Sequence, residues 1–159
     1  MAAKGAKNKP NLAPRIENRR AWHEYHIDAK LECGIVLQGS EVKSLRLGKA
    51  QLQEAFARIE KGELILHGLH IDPYEKASVS NHEPTRERKL LAHKREIKKL
   101  EGATREQGTK LIPLAVYFKD SHAKVELGVA KGKHLHDKRA SIKKKEMDKE
   151  LRRATGQRR

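Results

Sequence analysis

Cysteine is nearly absent from this chain of 159 residues, and a single thiol, Cys33, excludes an internal disulfide and any zinc site built from several thiolates. Aromatic residues are almost as scarce, with one Trp, three Tyr and two Phe, which leaves few platforms for stacking single-stranded bases. No stretch approaches the ~20 apolar residues that span a bilayer. Met1 to Pro14 also lacks the apolar centre of a secretion signal, so a soluble, cytoplasmic protein without a membrane partner is expected. There is no glycine-rich phosphate loop, and Ser, His and Asp occur without a nucleophile motif. The carboxylates are interleaved with Lys and Arg rather than gathered as a metal-dependent nuclease requires, which points away from an enzyme and from any cofactor. Among nine histidines, His23 with His26 and His67 with His70 have a spacing that suits a metal only on a helix. Both pairs lie in strand-like segments, where residues three apart face opposite ways, so no metal is expected.

Positive charge, by contrast, is abundant. Lys and Arg number 36 against 21 Asp and Glu, for a formal net charge of +15 and a pI near 10. Such an excess calls for a polyanion. Nucleic acid is the commonest, because each cation placed near a phosphate releases condensed counterions. With so few aromatics, a folded RNA or a duplex suits this chain better than a single strand. Hydrophobic and charged residues each make up 36% of the chain, so the core is small and the surface very polar, in keeping with one domain and basic ends.

The order of elements can be read in part. Met1 to Glu17 is predicted to be a basic N-terminal arm, disordered at least through Pro14. Apolar runs at Tyr25–Ile27 and Gly34–Leu37 predict two strands joined through Asp28 to Cys33. Ser40 is placed to cap a helix over Glu41 to Leu47, closed by Gly48. Phe56–Ile59 and Leu64–Ile71 predict a hairpin turning at Lys61 and Gly62, and Asp72 to Pro84 reads as a long loop. Thr85 to Glu101 is the clearest helical pattern, with Leu90, Leu91, Ile97 and Leu100 recurring among Arg88, Lys89, Lys94, Arg95, Lys98 and Lys99. Lys110–Lys119 predicts a strand in which Pro113 marks an edge or bulge, Asp120 to His122 a turn, and Ala123–Ala130 an alternating strand. Several short strands with one long helix fit a mainly β fold, a small antiparallel OB-type barrel with flanking helices over Asn18 to Gly132. The remainder, Lys133 to Arg159, is a basic C-terminal tail with 11 Lys or Arg against 4 Asp or Glu. Only Ile142, Met147 and Leu151 suggest an apolar stripe there, so disorder in isolation and a helix against a phosphate-lined partner are expected.

Several stretches carry a closer likeness. Asn18–Tyr25, Glu32–Arg46, Pro84–Leu91, Leu111–Leu114 and Lys124–Lys133, followed by His136-Asp-Lys-Arg139, resemble the SmpB family, in order and at consistent separations. The resemblance implies an OB-type barrel that binds the tRNA-like domain of transfer-messenger RNA and delivers it to stalled ribosomes for tagging of the incomplete peptide. By motif position, it implies RNA contacts at Asn18, Glu32, Leu91 and Lys124 and at a glycine-lysine loop of Lys131, Gly132 and Lys133. Arg19, His23, Lys43, Arg46 and Lys94 join them in the RNA-binding set. His136, Asp137, Lys138 and Arg139, with Lys143, Lys144 and Lys145, match or extend the start of the family's tail. That tail implies contact with small-subunit ribosomal RNA in the decoding centre and the empty message channel. Elongation factor Tu and alanyl-tRNA synthetase follow as indirect partners through the RNA, and the chain is expected to act as a monomer. His134 stands where Lys is more usual in the family, and Ala92 where Leu is.

Overall fold

A computed structural model describes residues 13–77 and 81–156, so the N-terminal arm read over Met1 to Pro14 lies almost wholly outside the described residues. In chain order the elements are β1 (Ile16–Glu17), α1 (Arg19–Glu24), β2 (Tyr25–Ile35), α2 (Gly39–Arg46), β3 (Ala50–Gln51), β4 (Phe56–Glu60) and β5 (Glu63–His67). These are followed by β6 (His70–Ile71), β7 (Arg88–Leu91), α3 (Lys94–Thr104), β8 (Thr109–Lys119), β9 (His122–Gly132) and α4 (Leu135–Ala154). The pairing runs β8–β4–β5–β7–β2–β9 and returns from β9 to β8, all antiparallel, which is the OB-type arrangement the strand pattern predicts. The ring is thinnest at β4–β8, joined through Ala57 and Leu111. β1 lies on the same edge of β8 farther along, so Ile16 and Glu17, read as part of the arm, belong to the sheet. β3 and β6 form a separate two-stranded sheet.

Two hairpins turn where the sequence permits. Lys61 and Gly62 have φ of 49° and 75°, and Asp120 and Ser121 have φ of 50° and 65°. These are the paired positive values that match the twist of an antiparallel hairpin. Pro113 does mark a bulge, since the β8–β9 register shifts between Pro113 and Ala115. A second shift falls between Ile27 and Ala29 of β2. Each shift swaps the faces, so Leu111, Val116, Leu31 and Cys33 pack on the barrel interior while Ile112, Leu114 and Ile27 pack on the outside, with Ala21 of α1 and Ala130. α2 and α3 add Leu45 and Leu100 to the interior.

Four expectations need correction. Tyr25 to Leu37 is not two strands: β2 is continuous and pairs with β9 from Tyr25 to Gly34, with Asp28 skipped at the bulge and Lys30 and Glu32 turned outward. The helix over Thr85–Glu101 is half strand. Arg88–Leu91 is bound between β5 and β2, Leu90 is buried and Leu91 exposed in period two, and pairing on both edges overrides helix propensity there. α3 starts only at Lys94, where Glu96 accepts the His93 N–H at 2.9 Å. Ser40 does not cap α2: the cap is Gln38, whose N–H donates to Glu41 at 2.8 Å, and Ser40 is bonded to His82. Finally, the strand read over Leu64–Ile71 breaks at Gly68, whose φ is +72° and whose missing Cβ leaves room for the Glu54 carbonyl.

Candidate nucleic-acid interface

Three of the predicted contacts, Glu32, Leu91 and Lys124, meet on the outer face of β9–β2–β7. Gly34 pairs with Lys124 on one side and Leu91 on the other, so Lys124 and Leu91 lie about 10 Å apart at the usual strand spacing. A Cβ at Gly34 would press on Leu91 Cβ at 3.2 Å, and the Leu91 side chain, 52% exposed, leans across the bare backbone. Val36, 46% exposed, extends this apolar shelf. The Lys124 amine has no hydrogen-bond or ion-pair partner among the described residues, which leaves it available to a phosphate. Glu32 is held from behind by the Tyr117 hydroxyl and by Lys119 Nζ at 3.3 Å. The Tyr117 bond is the main reason its carboxyl sits below the ordinary value. Burial, together with that same bond, pushes the Tyr117 phenol up to about 12. Arg15 completes the cluster, stacked 4.6 Å from the Tyr117 ring and paired with Glu126 and Glu17. A carboxylate fixed on a cationic face is suited to accept from an N–H or 2′-hydroxyl of RNA, while the shelf takes an apolar surface and Lys124 the phosphate.

The far end of β9 forms a second cationic region. From Lys124 to Gly132 is eight residues, about 26 Å of strand, so the two regions can contact phosphates a long way apart. An open groove of about 590 Å³ lies there, bordered by Tyr25, Lys110, Lys131, Lys133, His134 and Lys138. Nothing lies within 4 Å of where a Gly132 Cβ would stand, so a backbone approach is unobstructed. Lys131 is shared between Glu106 at 2.8 Å and Asp28 at 3.8 Å. The Lys133 amine is turned inward, toward α1 and α4.

The remaining predicted residues are dispersed. Arg19 is exposed and His23 half-buried on α1, while Lys94 is exposed at the start of α3. Lys43 and Arg46 lie one turn apart on α2, over the rings of Tyr74 and Phe118 at 5.3 and 5.6 Å. Asn18 does not belong to the interface. It is 2% exposed, its amide donates to Pro113 and Leu52 carbonyls at 3.0 and 3.3 Å, and its carbonyl caps α1 through Ala21 N–H. It pins α1 to the β8 bulge, and no polar atom is left for RNA.

α4 carries the tail residues. His26 Nε2 lies 3.4 Å from Asp137, and this contact is the main cause of the low Asp137 carboxyl pKa. Lys138, half-buried, helps line the groove, while His136, Arg139, Lys143, Lys144 and Lys145 are exposed. So are Leu135, Ile142, Met147 and Leu151, and the helix has no buried residue.

Charge counting misses one buried cluster. Glu41 is fully buried and accepts from Arg86 at 2.7 and 2.6 Å and from Arg88 at 2.9 Å, while Arg88 also donates to the Leu69, Arg86 and Pro84 carbonyls. Burial raises the Glu41 pKa, but the bonds from Arg86, Gln38 N–H and Arg88 outweigh it and hold the carboxyl below the ordinary 4.5. His82, 5% exposed, lies 2.9 Å from the Ile71 carbonyl and 2.8 Å from Ser40, tying the long loop to α2. The sequence signal is a lone acid in Gly39-Ser-Glu-Val set against Thr85-Arg-Glu-Arg88, and its role is packing of α2 on β7 rather than RNA contact.

The chain as a whole is similar to known proteins. A family model described as "SmpB protein" matches residues 15–157. An "SsrA-binding protein" of Carboxydothermus hydrogenoformans is 56% identical over 138 residues, covering 87% of this chain and 93% of its own length. Another, of Syntrophobacter fumaroxidans, is 54% identical over 157 residues, covering 96% and 98%. A solved chain from "tmRNA-SmpB: a journey to the center of the bacterial ribosome" is 52% identical with a TM-score of 0.67, over 77% of this chain and 87% of that one.

Proposed function

The chain belongs to the SmpB protein family, and from that premise we propose that it binds the tRNA-like domain of transfer-messenger RNA and delivers it to stalled ribosomes for trans-translation. The observation that carries the reading is the convergence of Glu32, Leu91 and Lys124 around Gly34 on one outer face of the barrel. The chain performs no catalytic step in this reading. It neutralises phosphates and matches the shape of a folded RNA. α4 supplies the second polyanion site: a cationic helix whose apolar residues are all exposed suits a groove of ribosomal phosphates in the decoding centre and the message channel left empty by a truncated message. The protein acts as a cytoplasmic monomer, and elongation factor Tu and alanyl-tRNA synthetase meet it only through the RNA.

Binding of labelled transfer-messenger RNA across a salt series, in competition with excess ordinary tRNA, tests the reading. Lys124→Ala is expected to weaken binding and to reduce the slope of log affinity against log salt by about 0.9, the contribution of one phosphate contact. Full competition by ordinary tRNA, or an unchanged slope, counts against it. Deleting Lys138 to Arg159 should spare this affinity and abolish tagging on stalled ribosomes.

A further inference from the structure

We propose that Lys133 is a positioning residue that fixes the direction of α4 from the barrel, rather than a phosphate ligand. The inference rests on the reading of α4 as the ribosome-entering element. The Lys133 ammonium donates to the Trp22 carbonyl at 3.1 Å and to Ser141 Oγ at 3.2 Å, and its backbone N–H donates to the Glu24 carbonyl at 2.9 Å. Trp22 is near the C-terminal end of α1, whose last intrahelical bond runs from Tyr25 N–H to the Ala21 carbonyl. Its own carbonyl therefore points out of the helix without an intrahelical donor, at the end where a positive charge is favoured. Ser141 lies in the second turn of α4 and donates its hydroxyl proton to the Asp137 carbonyl at 2.9 Å, which leaves its oxygen free to accept from Lys133. One cation thus joins the end of α1 to the beginning of α4. His26 and Asp137 make a second tie, between β2 and the first turn of α4. Lys131 has no such role, since it faces Glu106 and Asp28.

Three measurements on the full chain test this. Lys133→Ala should leave the affinity for transfer-messenger RNA within about twofold and its salt slope unchanged, while a lost phosphate contact would lower that slope by about 0.9. Tagging of stalled ribosomes should fall about tenfold, the equivalent of 1.4 kcal/mol of lost alignment. Lys133→Arg should recover most of it, because a guanidinium still reaches both oxygens. The third measurement is independent of the ribosome. Trp22 is the sole tryptophan, and energy transfer from it to an acceptor on Glu150→Cys reports the direction of α4. Cys33 is fully buried, with its thiol pushed by burial to about 12, and does not take the label. Lys133→Ala should broaden that distance distribution and Lys133→Arg should restore it. A weaker, flatter RNA binding curve, or an unchanged distance distribution, overturns the proposal. Should deletion of Lys138 to Arg159 leave tagging intact, the ribosomal reading of α4 fails on its own, and the distance measurement still decides the role of Lys133.

Discussion

β9 and α4 are neighbours in the chain, both mix cations with apolar residues, and they are held in opposite ways. β9 is paired along both edges and buries Val125, Leu127 and Val129, whereas α4 buries nothing over 20 residues and touches the body only near its first turns. Order in the barrel is thus tertiary, and order in the helix is local. A rigid recognition face and a separately adjustable cationic probe follow from that contrast, and perturbations that act on one side should leave the other alone.

The largest expected effect falls on the barrel. Glu41→Gln or Arg88→Met leaves a buried charge without its partner and should cost about 3–5 kcal/mol in chemical denaturation. Acid should act through the same group. Its folded pKa lies below the ordinary 4.5, so its contribution is complete above that value and is lost as pH falls from there through the folded pKa. The melting temperature of the wild type should drop steeply below about pH 4.5 and that of Glu41→Gln less so, since Gln does not titrate. If the far-ultraviolet helix signal of α4 vanished at the same denaturant concentration in a variant with a weakened barrel, the two regions would be one cooperative unit and the contrast would fail.

Gly68→Ala comes next, at about 1–3 kcal/mol for an alanine held at positive φ, and a steric term adds to it because the new Cβ would fall 2.5 Å from the Glu54 carbonyl oxygen. Gly34→Ala should be milder in stability, because its φ is ordinary and Leu91, with which its Cβ would collide, is exposed and can move. Its effect should appear in RNA binding, by raising the floor between Leu91 and Lys124. A loss of stability equal to that of Gly68→Ala would show that Gly34 serves folding rather than recognition.

How much of this was legible in the sequence follows the same division. Alternation at Val125, Leu127 and Val129 marks β9 because one face is apolar and the other polar, and Lys61-Gly62 and Pro113 mark a turn and a bulge because their backbone preferences are local. Arg88 defeats the reading because its neighbours Arg86, Lys89 and Lys94 make a solvated basic helix the simpler pattern. Only Glu41, 47 positions away, gives it a reason to be buried in a strand. Asn18 is the converse: a polar residue in a motif tied to RNA contact turns out to be a structural pin, because its amide finds two carbonyls brought together by the β8 bulge. Glu32, Leu91 and Lys124 were identified by family likeness, and what sequence spacing could not supply is the cross-strand row through Gly34 that unites them.

The smallest effect should come from Ile142→Ala, Met147→Ala and Leu151→Ala together. In a helix that packs on something, three such truncations would each cost about 2 kcal/mol or more. Here all three side chains are exposed, and Ala is the stronger helix former, so the stability of the free protein should change by no more than about 0.5 kcal/mol, its melting temperature should hold, and helix content should hold or rise. Binding of transfer-messenger RNA should also be unaffected if the proposed recognition face on β9–β2–β7 is the one that is used. Tagging should fall nevertheless, since the apolar stripe would contact a partner only on the ribosome. A drop of several degrees in the melting temperature would mean that α4 is already docked in the free protein, and the distinction between a tertiary barrel and a local helix would not hold.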